Sequence, residues 1–549
     1  MQQSDADRRA LRPILLCLIL LTYAWRLYRL DAQSLWRDEV DAIVFAVRDL
    51  PQTLAMFVQA GQNGVLYFLG LRPWFRLVGT SEIALRLPSV WFATLTVPLL
   101  WQVARRLIPT RPVPTRPVPA TAEEDAILPV VAPPPGRAAR WWSLTVGNGP
   151  LLAVLFYIAN PYQLWYGQEG KMYTLVTALA LLATWFWLRG IGGGGWRPWL
   201  GYLVTVSLAI YSHLLMVMLI PLHMLWFALA WPQSRRHWRG YGAALAGLTL
   251  PYLPMLIWQW DLLFDSQQRS GFTFVPLADL VEKLLLDYSR GFQAPDAILW
   301  LAPIFFLGAA GLLLGFMEIR VPPADPLPAL VPWRRYALVA AWLLAPILTI
   351  HLLSLRQPIF TPRYLIWIAP AAFMLLALGV QLLWQNTGKL AKPLSLLALV
   401  YVLGFWTYVG VAQQQATIKY DLRSGVAAIA TRRPPEELLL LQIPHLEFAY
   451  RYYSSDQGPH PLEGSDARLG RWAGGPWTNN GWPDDVAAAD VDRQMQALTQ
   501  GVSRVWVLRS EVEMWDSRHL MDQWLDTHGR VVDSANFHGV QMRLYELNR

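Results

Sequence analysis

Cysteine is almost absent. The 549 residues contain one, Cys17, which excludes an intrachain disulfide, a four-cysteine zinc site and a CxxC redox pair. Charge is scarce as well: charged residues make up 15% of the chain, against about 25% in a typical soluble domain. That is too little to coat a soluble enzyme or to keep a disordered chain solvated. No glycine-rich phosphate loop follows a strand, so a nucleotide site is not expected. No His-rich or multi-carboxylate run has metal-ligand spacing.

What the chain has instead is apolar length. Hydrophobic residues reach 54% and there are 29 Trp, about four times the usual share, with a mean hydropathy of +0.28. This composition describes a polytopic α-helical membrane protein. Lys and Arg outnumber Asp and Glu by 46 to 38. They lie between apolar runs rather than in a stripe on a soluble domain, which points to membrane orientation and away from nucleic acid.

A span takes about 20 apolar residues. Candidate spans begin near residues 11, 83, 141, 172, 198, 214, 240, 297, 335, 363 and 391, so about eleven transmembrane helices are expected. The first has Arg8, Arg9 and Arg12 before it and no small-residue cleavage site after it, and reads as an uncleaved span. With the N-terminus inside, the inside loops hold Arg105/Arg106, Arg137/Arg140, Arg189/Arg197, Arg235/Arg236/Arg239, Arg334/Arg335 and Lys389/Lys392. The outside loops are richer in carboxylates, notably Asp31, Asp38, Glu39, Asp41 and Asp49. This asymmetry obeys the positive-inside rule and, with an odd span count, puts the C-terminal region outside.

Residues 1–411 are therefore expected to form the membrane domain. Within it, 31–80 is a first outside loop with interfacial helices, and 261–296 is a second outside loop. Residues 109–138, with PTRPVPTRPVP and APPPG, are a Pro-rich cytoplasmic linker. Residues 412–549 are expected to form a soluble α/β domain. ELLLLQIP, SRVWVLRS and VQMRLYEL read as its strands, and VDRQMQALTQG and DSRHLMDQWLDTHG as its helices.

Ionisable residues at membrane ends are costly and are functional candidates by default. Four groups qualify, each of which has an ordinary reading when taken alone. Trp36-Arg37-Asp38-Glu39 is either a solvated acidic loop or the place of a general base. Asn160-Pro161-Tyr162 through Gly167-Gln168-Glu169-Gly170-Lys171-Met172-Tyr173 is either an aromatic belt with a snorkelling lysine or a binding loop. Tyr211-Ser212-His213 places a histidine at a span end, where a structural hydrogen bond is the commoner role. Thr361-Pro362-Arg363-Tyr364, with Arg356 just before it, puts arginine forks suited to phosphate at a helix start. All four fall on one side of the membrane. A carboxylate base beside a cationic phosphate clamp suits attack by a hydroxyl on a sugar carried by a lipid phosphate.

SLWRDEVDA, RLPSVWFATLTVPLL, NPYQLWYGQEGKMYTL, YSHLLMVML and TPRYLIWIAPA occur in an order and spacing that resemble the GT-C glycosyltransferases. Among these the likeness is to the protein O-mannosyltransferases and the aminoarabinose transferase of lipid A, over about residues 11 to 410. The resemblance implies inverting transfer of a sugar from a polyprenyl phosphate to a hydroxyl of a lipid, glycan or protein, outside the inner or plasma membrane of a bacterium. It implies Asp38 as catalytic base with Glu39 beside it. Glu169, Lys171 and Tyr173 match a loop that relatives write Glu-x-Arg-x-Tyr, with Lys171 keeping the charge but not the fork. His213, Arg356, Arg363 and Tyr364 then fall on the donor-phosphate side. The chain departs from the pattern at Gln62-Asn63-Gly64-Val65-Leu66-Tyr67, where relatives carry a Pro-Leu-Tyr type segment. No cofactor is implied with certainty; a divalent cation held loosely by Asp38, Glu39 and His213 stays open. The competing reading is a transporter or flippase of lipid-linked sugars, for which paired halves and broken mid-membrane helices are expected and no internal repeat is found.

Overall fold

The computed structural model describes residues 2–108, 147–231, 233–264, 272–293, 298–317, 332–385, 390–443, 446–454, 469–471 and 484–548. The Pro-rich linker expected at 109–138 lies outside the described residues.

In lipid every backbone polar group must be satisfied within its own segment, so apolar runs of this length fold as helices. Among the described residues, seven are long and apolar enough to cross a membrane: Glu82–Leu107, Tyr173–Ile191, Ser234–Trp258, Ile298–Gly315, Trp333–Ser354, Pro362–Trp384 and Ala391–Gln415. The chain is an integral membrane protein. Helices also stand at the other expected span positions, Gln2–Leu27, Gly149–Ala159, Trp196–Ser212 and Leu219–Leu229. They do not meet the same length and hydropathy, so a count of eleven spans is not established.

Two helices approach to backbone contact. A Cβ on Gly311 would run into the Leu375 carbonyl oxygen, and one on Gly379 into that of Leu307. Small residues allow this in membranes, where close packing replaces the hydrophobic effect as the force between helices. Gly379→Val is expected to cost about 1–3 kcal/mol through overpacking, read as a lower thermal midpoint in detergent.

Local breaks bring the polar segments together. Asn160 ends Gly149–Ala159, and its side-chain oxygen accepts from Gln163 N at 3.0 Å to cap Pro161–Gly167. Its amide nitrogen donates to Tyr288 O at 2.8 Å. Tyr288 belongs to an amphipathic helix, Leu277–Arg290, so the expected second loop contains a structured element. His213 likewise breaks Trp196–Ser212 from a short 3-10 turn, Leu214–Met218. In the first loop, Arg37–Val47, Leu50–Phe57 and Val65–Val78 are helical. Gly64 opens the last of these at φ +88, and a Cβ there would strike the Met172 side chain, so this glycine lets the loop close on the segment that carries Glu169 and Lys171.

The C-terminal region forms a five-stranded sheet in the order β2-β1-β3-β5-β4. The strands are β1 Leu438–Leu441, β2 Leu469–Arg471, β3 Arg504–Ser510, β4 Gly529–Phe537 and β5 Val540–Leu547. β1 runs parallel to β2 and β3, while β5 is antiparallel to β3 and β4. Alternation sends Leu439, Leu441, Trp506 and Leu508 into the main core. Leu438, Leu440, Val505 and Val507 pack on the other face with Val491, Met495 and Leu525. Three expected strands and both expected helices are present, and β2 and β4 are additional. The sheet domain is fastened to the membrane part. Arg423 pairs with Glu82, Tyr453 Oη donates to Glu82 Oε1 at 2.6 Å and accepts from Leu35 N at 2.7 Å, and Tyr452 Oη donates to Thr80 O at 3.0 Å.

Candidate active site

Asp38 and Glu39 occupy the first turn of Arg37–Val47, so helical geometry turns their side chains about 100° apart. Their surroundings differ completely. Glu39 is fully buried. Arg86 grips it with two donors, Nε to Oε1 at 2.9 Å and Nη2 to Oε2 at 2.7 Å. Lys419 Nζ lies 2.9 Å from Oε2, and Gly170 N donates to Oε1 at 2.8 Å. Burial alone would raise its pKa, but Arg86 and Lys419 outweigh that and hold it at about 2. The remaining Arg86 donors go to the carbonyls of Leu30, Gln33 and Ser34 at 2.9, 2.8 and 3.1 Å. Glu39 is thus the anion of a buried hub joining the first loop, the Glu82–Leu107 helix, the Glu169 segment and the start of the C-terminal domain.

Asp38 stays open. Its side chain is 22% exposed, with Arg363 Nη2 3.8 Å from Oδ2 and Arg37 Nε 3.7 Å from Oδ1. At those distances the oxygens keep capacity for a further partner. The Arg363 guanidinium lies over the Trp36 ring, 5.5 Å from its centroid. Tyr364 meets His213 edge-on at 4.9 Å, and Tyr173 stands between Tyr166 at 5.0 Å and His213 at 6.4 Å. Lys171 Nζ sits over Phe68 at 5.5 Å and is close enough to Asp41 to act on its charge. Among the described residues, the buried polar atoms here without a hydrogen-bond partner include Glu169 Oε1, Arg363 Nε and His213 Nε2. Arg363 lies within electrostatic reach of both Glu169 and His213.

Two further carboxyls titrate unusually. Burial, with Asp38 adding to it against Lys171, lifts Asp41 to about 6. Burial, with Glu39 adding to it against Lys419, lifts Glu169 to about 7. A carboxyl raised on folding favours the folded state while protonated, and that contribution is lost as pH climbs from 4.5 to about 7. For Glu169 the rise corresponds to about 3 kcal/mol. Glu169→Gln is therefore expected to raise the thermal midpoint at pH 8 and to leave it nearly unchanged at pH 4, measured by thermal unfolding in detergent.

Eight of the nine residues singled out from the sequence fall in these two adjoining clusters: Asp38, Glu39, Glu169, Lys171, Tyr173, His213, Arg363 and Tyr364. Arg356 does not join them; it lies over the Phe264 ring at 5.9 Å and donates to the Phe264 carbonyl at 3.4 Å. Sequence reasoning missed Arg86 and Lys419. Arg86 had a signal, being a charge inside an apolar span; Lys419, in IKYDLRSG, had none. The cation site considered for Asp38, Glu39 and His213 does not assemble. Glu39 is committed to Arg86, Lys419 and Gly170, and among the described residues no three His, Cys, Asp or Glu side chains are placed to hold a metal ion.

No family model matches the chain, and no curated protein matches it in sequence. Solved structures do. ArnT from Cupriavidus metallidurans in the apo state superposes with a TM-score of 0.56 at 12% identity, over 97% of this chain and 98% of that one. The same protein bound to undecaprenyl phosphate gives 0.55 at 12% identity, with the same coverage. The archaeal oligosaccharyltransferase AglB from Archaeoglobus fulgidus, in complex with an inhibitory peptide and a dolichol-phosphate, gives 0.50 at 10% identity, over 88% of this chain and 66% of that one. The chain has the fold of the GT-C glycosyltransferases, the superfamily whose motifs its sequence resembles.

Proposed function

We propose that the chain is an inverting glycosyltransferase that moves a sugar from a polyprenyl-phosphate donor to a hydroxyl acceptor on the extracytoplasmic side of a bacterial inner membrane. Residues 1–411 form its catalytic membrane domain and 412–549 an extracytoplasmic domain. The observation that carries this reading is the open Asp38 carboxylate paired loosely with Arg363, beside the unpartnered Glu169 Oε1, Arg363 Nε and His213 Nε2, in a fold shared with a protein solved bound to undecaprenyl phosphate.

Asp38 accepts the proton of the acceptor hydroxyl as its oxygen attacks the anomeric carbon. The bond from that carbon to the phosphate oxygen breaks, and polyprenyl phosphate leaves with the bonding pair. Arg363 and Lys171 stabilise the charge gained by the phosphate. Tyr173, Tyr364 and His213 line its seat. Glu39 holds the loop rather than reacting, since its oxygens are already occupied. Direct displacement from the opposite face inverts the anomeric centre.

The test uses the purified protein in lipid with radiolabelled undecaprenyl-phosphate mannose, arabinose, aminoarabinose and galactose, and native membrane extract as acceptor source. Transfer or hydrolysis of one sugar supports the proposal and identifies the donor. Movement of donor across the bilayer with no turnover of any sugar replaces it with a lipid-linked sugar transporter.

A further inference from the structure

Outside the machinery described above, one residue of the sheet domain reaches the catalytic loop. Glu511 follows the last residue of β3 and stands in the left-handed region at φ 53 and ψ 31. Among the described residues only Arg29 and His519 share that conformation without being glycine. A glutamate gains nothing from such a backbone, and it persists only where the surroundings determine it; strained positions of this kind gather at functional sites.

The side chain shows what holds it. The Glu511 side chain is 4% exposed, and its Oε2 lies 3.6 Å from Arg37 Nε. The same Arg37 Nε lies 3.7 Å from Asp38 Oδ1. Tyr420 stands within electrostatic reach of both Glu511 and Arg37. Glu511, Ser510 and Ile443 follow or end β3 and β1 at their carboxyl ends, and line a small crevice together with Arg37 and Tyr420. Carboxyl ends of parallel strands are where α/β sheets place functional groups. Here they face the catalytic loop.

We infer that Glu511 is a positioning residue for sugar transfer: it draws Arg37 toward the sheet domain and thereby fixes Asp38, so the C-terminal domain completes the active site. This rests on the glycosyltransferase reading. Without the Glu511 carboxylate, the pull on Arg37 toward the sheet domain is lost while its contact with Asp38 remains, so Arg37 shifts toward Asp38. An Asp38 held tightly by Arg37 is a poorer base and is turned from Arg363. Glycine is the discriminating substitution, because it relieves the backbone as it removes the carboxylate.

The experiment compares wild type, Glu511→Gly, Glu511→Gln, Arg37→Met and Glu511→Gln/Arg37→Met in lipid nanodiscs, using the undecaprenyl-phosphate sugar that the wild type turns over. Glu511→Gly is expected to lower kcat at least tenfold, with KM for the donor within twofold and a thermal midpoint at or above wild type. The double variant is expected to be no slower than Arg37→Met alone, since coupled residues are not additive. The inference is overturned if Glu511→Gly keeps its kcat, if kcat falls only together with the thermal midpoint, or if the double variant shows the two losses multiplied. A wild type that turns over no donor overturns the glycosyltransferase reading itself, and is seen before any variant is made.

Discussion

Asp38→Asn is expected to leave the protein folded and able to bind undecaprenyl phosphate while lowering sugar transfer by about a hundredfold to ten-thousandfold, the range that a positioned general base supplies. That range corresponds to about 3–5 kcal/mol of barrier. Stability should hardly change. Asp38 is 22% exposed and its ion contacts with Arg37 and Arg363 are 3.7 and 3.8 Å long, and pairs of that kind contribute about 0–1 kcal/mol. Asparagine keeps the shape and one carbonyl oxygen but takes up no proton from the acceptor. Glu39 offers no substitute: with Arg86, Lys419 and Gly170 already bound and a pKa of about 2, it is too weak a base and faces the wrong way. The measurement is kcat with the identified donor together with the dissociation constant for undecaprenyl phosphate. Unchanged turnover in the variant removes Asp38 from its role; lost turnover with lost binding moves it to donor recognition.

The sequence made the residue types at this site visible because lipid makes them conspicuous. A carboxylate, a lysine or an arginine at the end of an apolar run stands out against its neighbours, and Asp38, Glu169, Lys171 and Arg363 were found in that way. Direction was not visible. Asp38 and Glu39 are adjacent letters, and only the turn of the Arg37–Val47 helix sends one inward and leaves the other open. Partners distant in sequence were hidden for the same reason: Arg86 is 47 residues from Glu39, and no local pattern announces the pairing. In the C-terminal domain β1 and β3 were legible as apolar runs buried on both faces. β4, GRVVDSANF, was not, because it lies at the edge of the sheet with much of its length exposed and carries polar residues where a central strand would be apolar. Arg356 misled in the opposite sense: near a charged motif in sequence, it belongs in space to Phe264.

Glu39→Gln is the substitution expected to cost the most stability. Removing one partner of a buried ion pair costs about 3–5 kcal/mol, because the partner's charge stays buried without compensation. Here two cations lose their anion, since Arg86 and Lys419 both close on Glu39. The lowering of the Glu39 carboxyl from 4.5 to about 2 gives about 3 kcal/mol by linkage, the same order. The sign is that of a depressed carboxyl. Its stabilisation is complete above pH 4.5 and fades as pH falls toward 2, so the variant should lie far below wild type in thermal midpoint at pH 7 and much closer to it at pH 3. An equal gap at both pH values would mean that Glu39 is not ionised in the folded protein. Loss of the anion also loosens Arg86 from the carbonyls of Leu30, Gln33 and Ser34, the turn from which Trp36 and Asp38 are presented, so transfer should fall with stability. Replacing Glu39, Arg86 and Lys419 together by apolar side chains separates the two effects. Buried ion clusters exchanged for well-packed apolar groups often regain stability, but the loop then lacks the bonds that hold Asp38 near Arg363. Such a variant should recover much of the thermal midpoint and little of the transfer, which would identify the hub as a device for geometry rather than for stability.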